Sequence, residues 1–170
     1  MMVIGKLVKG KVYVFIDAAN VFYSQKTLGW RISYKKLMEY LKRECDLGQV
    51  FLYTGVLFNN PDQERFLRML EYCGYILRTK PVKKILNTNG TIKKKANFDV
   101  EASFEMDDLS KEYDTAILIS GDSDFAYTLK RLKKKGKNVI VISTGGHVSI
   151  ELLREAKFID FKKLKDKISL

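Results

Sequence analysis

Short apolar runs alternate with amphipathic stretches along the whole chain. This pattern predicts an α/β fold with a mostly parallel central sheet and helices on both faces. Three observations carry the prediction. KVYVFI (11–16), TAILIS (115–120) and NVIVIS (138–143) are nearly all apolar, as strands buried on both faces require. Between the strands, Tyr34, Leu37, Met38, Leu41 and Cys45 fall at helical spacing. No repeat, linker or compositional shift interrupts the 170 residues, so they are read as a single domain, 1–170.

The elements follow in order. The first strand is 11–16, and Ser33 is placed to cap the helix that follows. VFLYTGVLF (50–58) is the second strand. Asn60 and Pro61 open the next helix as cap and first residue, Gly74 closes it, and YILRTKP (75–81) is the third strand. Residues 82–95 then read as a basic β-hairpin insertion around a two-residue Asn89-Gly90 turn. A helix is expected over 98–111, the fourth strand over 115–120, and a further helix from the GDSDF segment to Lys135, stopped at Gly136. A fifth strand at 138–143, a helix over 148–157 and a short strand over 158–161 complete the chain.

Hydrophobic residues make up 46% of the chain, enough to fill one core, and 31 Lys and Arg against 20 Asp and Glu leave a net charge of +11. Such a field attracts polyanions, nucleic acid among them. No run reaches transmembrane length and no secretory signal is visible, so no membrane association and a cytoplasmic setting are expected. Cys45 and Cys73 stand apart from any CxxC pair and read as buried reduced thiols.

In open parallel sheets, ligands bind at the carboxyl ends of the strands. Two segments place acids there. Asp17 ends the first strand with Asn20 three residues on, and Asp122 and Asp124 follow the fourth, flanked by Gly121 and Ser123. Each residue alone has a local explanation as turn former or helix cap, Asn20 included. Meeting in one crevice is another matter. Two carboxylates about 4 Å apart repel by roughly 4 kcal/mol at an effective dielectric near 20. A bound cation offsets that repulsion, and a cluster without His or Cys suits Mg²⁺ or Mn²⁺ better than zinc.

FIDAAN (15–20), NFDVEASFEMD (97–107) and LISGDSDF (118–125), in this order and spacing, resemble the NYN family, the LabA-like branch of PIN-like nucleases. The resemblance runs from about residue 11 to 161 and includes Ser149, Leu152, Leu153, Ala156 and Phe158 near its end. It implies a PIN-like Rossmannoid three-layer sandwich. It also implies catalytic and metal-binding roles for Asp17, Asp99, Asp122 and Asp124, with Asn20 orienting an acid or a water. Glu105 stands where many relatives carry a further Asp, but lies well off the Asp99 face of a helix, so it and Asp107 are read as peripheral. The implied activity is metal-dependent endonucleolytic cleavage, with RNA favoured by the resemblance and DNA left open by the residues.

Lys83, Lys84, Lys93, Lys94 and Lys95 flank the hairpin turn just before Asp99 and are candidates for a phosphate-backbone clamp. The Lys130–Lys137 cluster reads as a solvated helix end. Tyr23 and Trp30 are candidate base-stacking aromatics, though more often such residues are core or rim. His147 sits in a Gly-rich loop, STGGHVS, read as a tight strand–helix turn. The sequence lacks GxGxxG and GxxxxGK[ST], and Ala19 occupies the position where a haloacid-dehalogenase-type phosphatase needs its second Asp. Two readings remain open: a nuclease, and a non-catalytic RNA-binding or protein-binding regulatory module on the same fold. Homo-oligomerisation is also left open.

Overall fold

The apolar run at 11–16 forms β1 (Lys11–Asp17), and every residue from Val12 to Ile16 is buried. The computed structural model describes residues 3–170; the side chains of Ile85, Lys93, Lys94 and Lys95 are outside the described residues. With β2 (Asp46–Val56), β3 (Ile76–Pro81), β6 (Thr115–Ile119), β7 (Asn138–Ser143) and β8 (Lys157–Asp160), β1 builds a six-stranded sheet in the order β3-β2-β1-β6-β7-β8. All five pairings in it are parallel. The order reverses direction between β1 and β6, where Ile16 pairs with Ile119. That reversal opens a crevice at the carboxyl ends of the two strands.

Alternation along the central strands divides the core in two. Val12, Val14 and Ile16 face one layer, with Leu37 and Leu41 of α2 (Tyr34–Glu44) and Leu70 of α3 (Pro61–Cys73). Tyr13 and Phe15 face the other, with Ala102 and Met106 of α4 (Asp99–Asp108) and Leu129 and Leu132 of α5 (Ala126–Lys134). α6 (Ile150–Glu155) joins this second layer through Leu152. The expected three-layer arrangement is therefore present.

The structure departs from the sequence reading in four places. α1 (Ala18–Leu28) fills a stretch for which no helix was predicted. It buries only Val21 and Ser24, so it carries no apolar stripe at helical spacing. β2 starts at Asp46, four residues earlier than expected. The chain closes with α7 (Lys165–Ile168), also unpredicted, whose Ile168 is buried in the first core layer. Fourth, the strands of the hairpin, β4 (Lys83–Leu86) and β5 (Ile92–Lys95), are antiparallel with Leu86 opposite Ile92, so the connection spans Asn87 to Thr91. Its polar side chains favour this wider loop: the Asn87 amide donates to Thr91 Oγ1 and the Thr91 hydroxyl donates to Asn89 Oδ1. Gly90 adopts φ 78°, which glycine tolerates without a steric penalty.

Both cysteines are half-buried free thiols at helix ends rather than fully buried. Burial pushes the Cys45 thiol up to about 11. Among the described residues no helix is long and apolar enough to cross a membrane.

The loop after β7 lies directly over the segment after β6. A Cβ on Gly121 would sit 2.7 Å from the His147 carbonyl carbon, and the Ser149 amide donates to the Gly121 carbonyl. Backbone cannot yield as a flexible side chain does. Gly121→Ala is therefore expected to destabilise the protein by about 1–3 kcal/mol, read as a lower urea midpoint with an unchanged slope.

Candidate active site

Asp17 is the last residue of β1 and the N-cap of α1. Its Oδ1 accepts from the Asn20 amide at 3.2 Å, and its Oδ2 accepts from the Ser120 hydroxyl at 3.2 Å. Asn20 thus lies in the first turn of α1 and is not itself the cap. Ser120 is buried at the end of β6, where its Oγ also accepts from the Asp122 amide at 3.2 Å. One hydroxyl therefore ties the segment that carries Asp122 to Asp17 across the strand reversal.

Asp122 caps the short 3-10 turn Ser123–Phe125, its Oδ1 accepting from the Asp124 amide at 3.0 Å. Asp99 is the first residue of α4, and its amide donates to Asn97 Oδ1 at 3.1 Å. The N-terminal end of a helix favours a carboxylate there. The structure brings one ligand oxygen each from Asp99, Asp122 and Asp124 within 4.8 Å of one another. Asp17 is outside that trio but shares a small crevice with Asp99, walled by Phe15, Leu118 and Phe125. Burial raises the Asp17 carboxyl above its ordinary value, and the charge of Asp122 adds to this against the hydrogen bonds it accepts. Burial also raises Asp99, with the negative charge of Asp122 and contact with Asp124 adding to it.

The other candidates sort themselves around this centre. Glu105 turns away and takes Arg78 at 2.5 Å and the Tyr53 hydroxyl at 2.8 Å. Asp107 pairs with Arg131 and Lys135, each at 2.8 Å. Lys133 pairs with Glu155, so much of the basic helix end after Lys130 is occupied structurally. His147 Nε2 lies 2.5 Å from Thr27 Oγ1, and the Gly145 amide is taken by Asp160, which agrees with the tight-turn reading of that loop. The hairpin leaves the same sheet edge as the acids, with the Val82 amide donating to the Val56 carbonyl at 3.0 Å. Lys83 and Lys84 are exposed on it, whereas the clamp expected of Lys93, Lys94 and Lys95 concerns side chains outside the described residues.

A feature the sequence reading missed adjoins Asp17: a groove of about 980 Å³ between α1, α3 and the base of the hairpin. Phe22 and Phe66 line it beside Tyr23. Trp30, by contrast, is half-buried against the first core layer.

A model of the NYN domain matches residues 11–165. This chain belongs to the NYN domain family. NYN domains are PIN-like nucleases, and the acidic trio lies where an α/β sheet of this order places its ligands. The domain is 32% identical over 157 residues to the low amplitude and bright protein LabA of Synechococcus elongatus, covering 89% of this chain and 84% of that protein. Its fold matches that of a Vibrio parahaemolyticus protein of unknown function, VPA0982, with a TM-score of 0.77 and 24% identity, covering 95% of this chain and 97% of the other.

The raised acids link the site to stability. A carboxyl raised in the folded state costs stability in full above its folded pKa, and that cost is relieved as pH falls toward the unfolded value. Asp122 contributes to raising both Asp17 and Asp99. In EDTA at pH 7, Asp122→Asn should therefore melt at the same temperature as wild type or higher. Between pH 7 and the unfolded pKa of aspartate, wild type should recover more of the difference than the variant as pH falls. A markedly lower melting temperature for the variant would make Asp122 a structural cap instead.

Proposed function

We propose that this NYN domain is a divalent-metal-dependent endoribonuclease acting in the cytoplasm, and that Asp99, Asp122 and Asp124 hold Mg²⁺ or Mn²⁺. The observation that carries the reading is the convergence of three carboxylates, Asp99 from a site 23 residues before Asp122, at the carboxyl edge of a parallel sheet. The donor set fits such an ion: all three ligands are hard oxygens, with no nitrogen or sulfur among them. A bound ion would lower the pKa of a coordinated water and neutralise charge on the attacked phosphate.

The protein supplies orientation. Ser120 fixes Asp17 Oδ2 at the same sheet edge, where that carboxylate would orient an attacking water. Asn20, one turn into α1, holds the Asp17 Oδ1 through its amide. The hairpin supplies positive charge next to a negative site, which substrate phosphates otherwise avoid. A preference for RNA over DNA rests on family membership, and the cytoplasmic setting on the two free thiols.

Labelled RNA incubated with Mn²⁺ should yield internal cleavage products, with none in EDTA and none from Asp122→Asn. RNA that is retarded but uncut in Mn²⁺ would favour the regulatory binding module. Separately, Lys83→Gln with Lys84→Gln should weaken binding of every RNA sequence alike. Each lost phosphate contact should also make the slope of log affinity against log salt shallower by about 0.7. An unchanged slope would make the hairpin a solvated edge.

A further inference from the structure

The groove beside Asp17 is lined by aromatic side chains that the core does not use. Phe22 and Tyr23 are each 56% exposed and Phe66 is 40% exposed. α1 buries Val21 and Ser24 instead, so its adjacent aromatics are presented to the groove rather than spent on packing. Their rings meet edge to face with centroids 5.7 Å apart. Lys26 stands over both, its Nζ 4.9 Å from the Phe22 centroid and 5.2 Å from the Tyr23 centroid.

The charge around these rings is mainly positive. Arg31 and Lys35 line the groove, and the one acidic side chain lining it, among the described residues, is Asp17. Asp17 belongs to the active-site edge as well, and Phe98, which also lines the groove, immediately precedes Asp99. The groove is thus continuous with the acidic centre. Aromatic faces set among cations, opening onto a phosphate-cleaving site, suit a chain that offers flat π surfaces and negative charge together. A duplex keeps its bases stacked on one another and cannot use such faces.

We infer that this groove is a nucleobase subsite, in which unpaired bases next to the attacked phosphate stack on Phe22, Tyr23 and Phe66 while Lys26, Arg31 and Lys35 hold their phosphates. The inference deepens the nuclease reading and rests on it for the direction of the strand, but base binding itself needs no turnover. It restricts the substrate to single-stranded segments. It also makes recognition tolerant of sequence, because every base has a face to stack.

The test measures binding in EDTA, where no cleavage occurs. Fluorescence anisotropy compares a labelled ten-nucleotide oligouridylate with an abasic strand of the same length and charge. Wild type should bind the base-bearing strand at least about tenfold more tightly, given the strength of base–aromatic stacking. Phe22→Ala with Tyr23→Ala should abolish that advantage while leaving the affinity for the abasic strand and its salt dependence unchanged. Phe22→Trp with Tyr23→Trp should keep the advantage. Equal binding of the two strands by wild type overturns the subsite without needing any variant. It is also the result expected if the groove takes an apolar peptide. An advantage that survives the double alanine variant overturns the subsite as well. Metal-dependent cleavage alongside equal binding would leave the nuclease reading standing and remove only the groove. If wild type binds neither strand, the subsite falls, and cleavage of RNA in Mn²⁺ decides the nuclease reading separately.

Discussion

Repulsion among Asp99, Asp122 and Asp124 is the constraint on which the rest of the domain depends. Their oxygens lie within 4.8 Å of one another and two of the three residues are half-buried. Left to themselves, such groups separate or take up protons. The fold keeps Asp99 and Asp122 from separating by building them into backbone structures. Asp122 is engaged as the cap of a 3-10 turn and Asp99 is the first residue of a helix. Their positions follow from local hydrogen bonding, the Asp99 amide donating to Asn97 and Asp122 accepting from the Asp124 amide.

The bracing extends outward from α4. Phe98, just before Asp99, packs its ring against Tyr53 with centroids 5.9 Å apart, and Lys80 sits 4.5 Å over the Phe98 ring. Tyr53 in turn donates to Glu105, six residues after Asp99 on the same helix, which Arg78 grips. Glu105 is thereby committed to fixing α4 against β2 and β3. Its distance from the acidic centre is a consequence of that role. Lys80 also pairs with Glu101 at 2.6 Å, so two basic residues of β3 anchor the helix that presents Asp99.

Opposite charges are kept close to this negative centre without neutralising it. The hairpin and the cations around Phe22 and Tyr23 flank the acids at the same sheet edge, whereas the basic end of α5 is largely tied up in ion pairs with Asp107 and Glu155. Net charge alone does not distinguish these populations. Lys83 and Lys84 are exposed at that edge, whereas Lys133 and Lys135 pair with acids at the far end.

Much of the fold was legible in the sequence because its signals are local. Buried parallel strands must be apolar on both faces, so β1, β6 and β7 stand out in the chain, and Asn60, Pro61 and Gly74 mark the ends of α3 by cap chemistry. The motifs around Asp17, Asp99 and Asp122 were legible through their likeness to a family whose model spans residues 11–165. α1 escaped because it buries a valine and a serine, and the hairpin turn widened because Asn87, Asn89 and Thr91 bond to one another. Which acids form the trio, that Glu105 leaves it for Arg78, and that Phe22 and Phe66 share a groove with Asp17 were decided by the tertiary structure alone. Each depends on strands and helices far apart in the chain meeting at the β1–β6 reversal. Local propensity and periodicity carry no record of such distances.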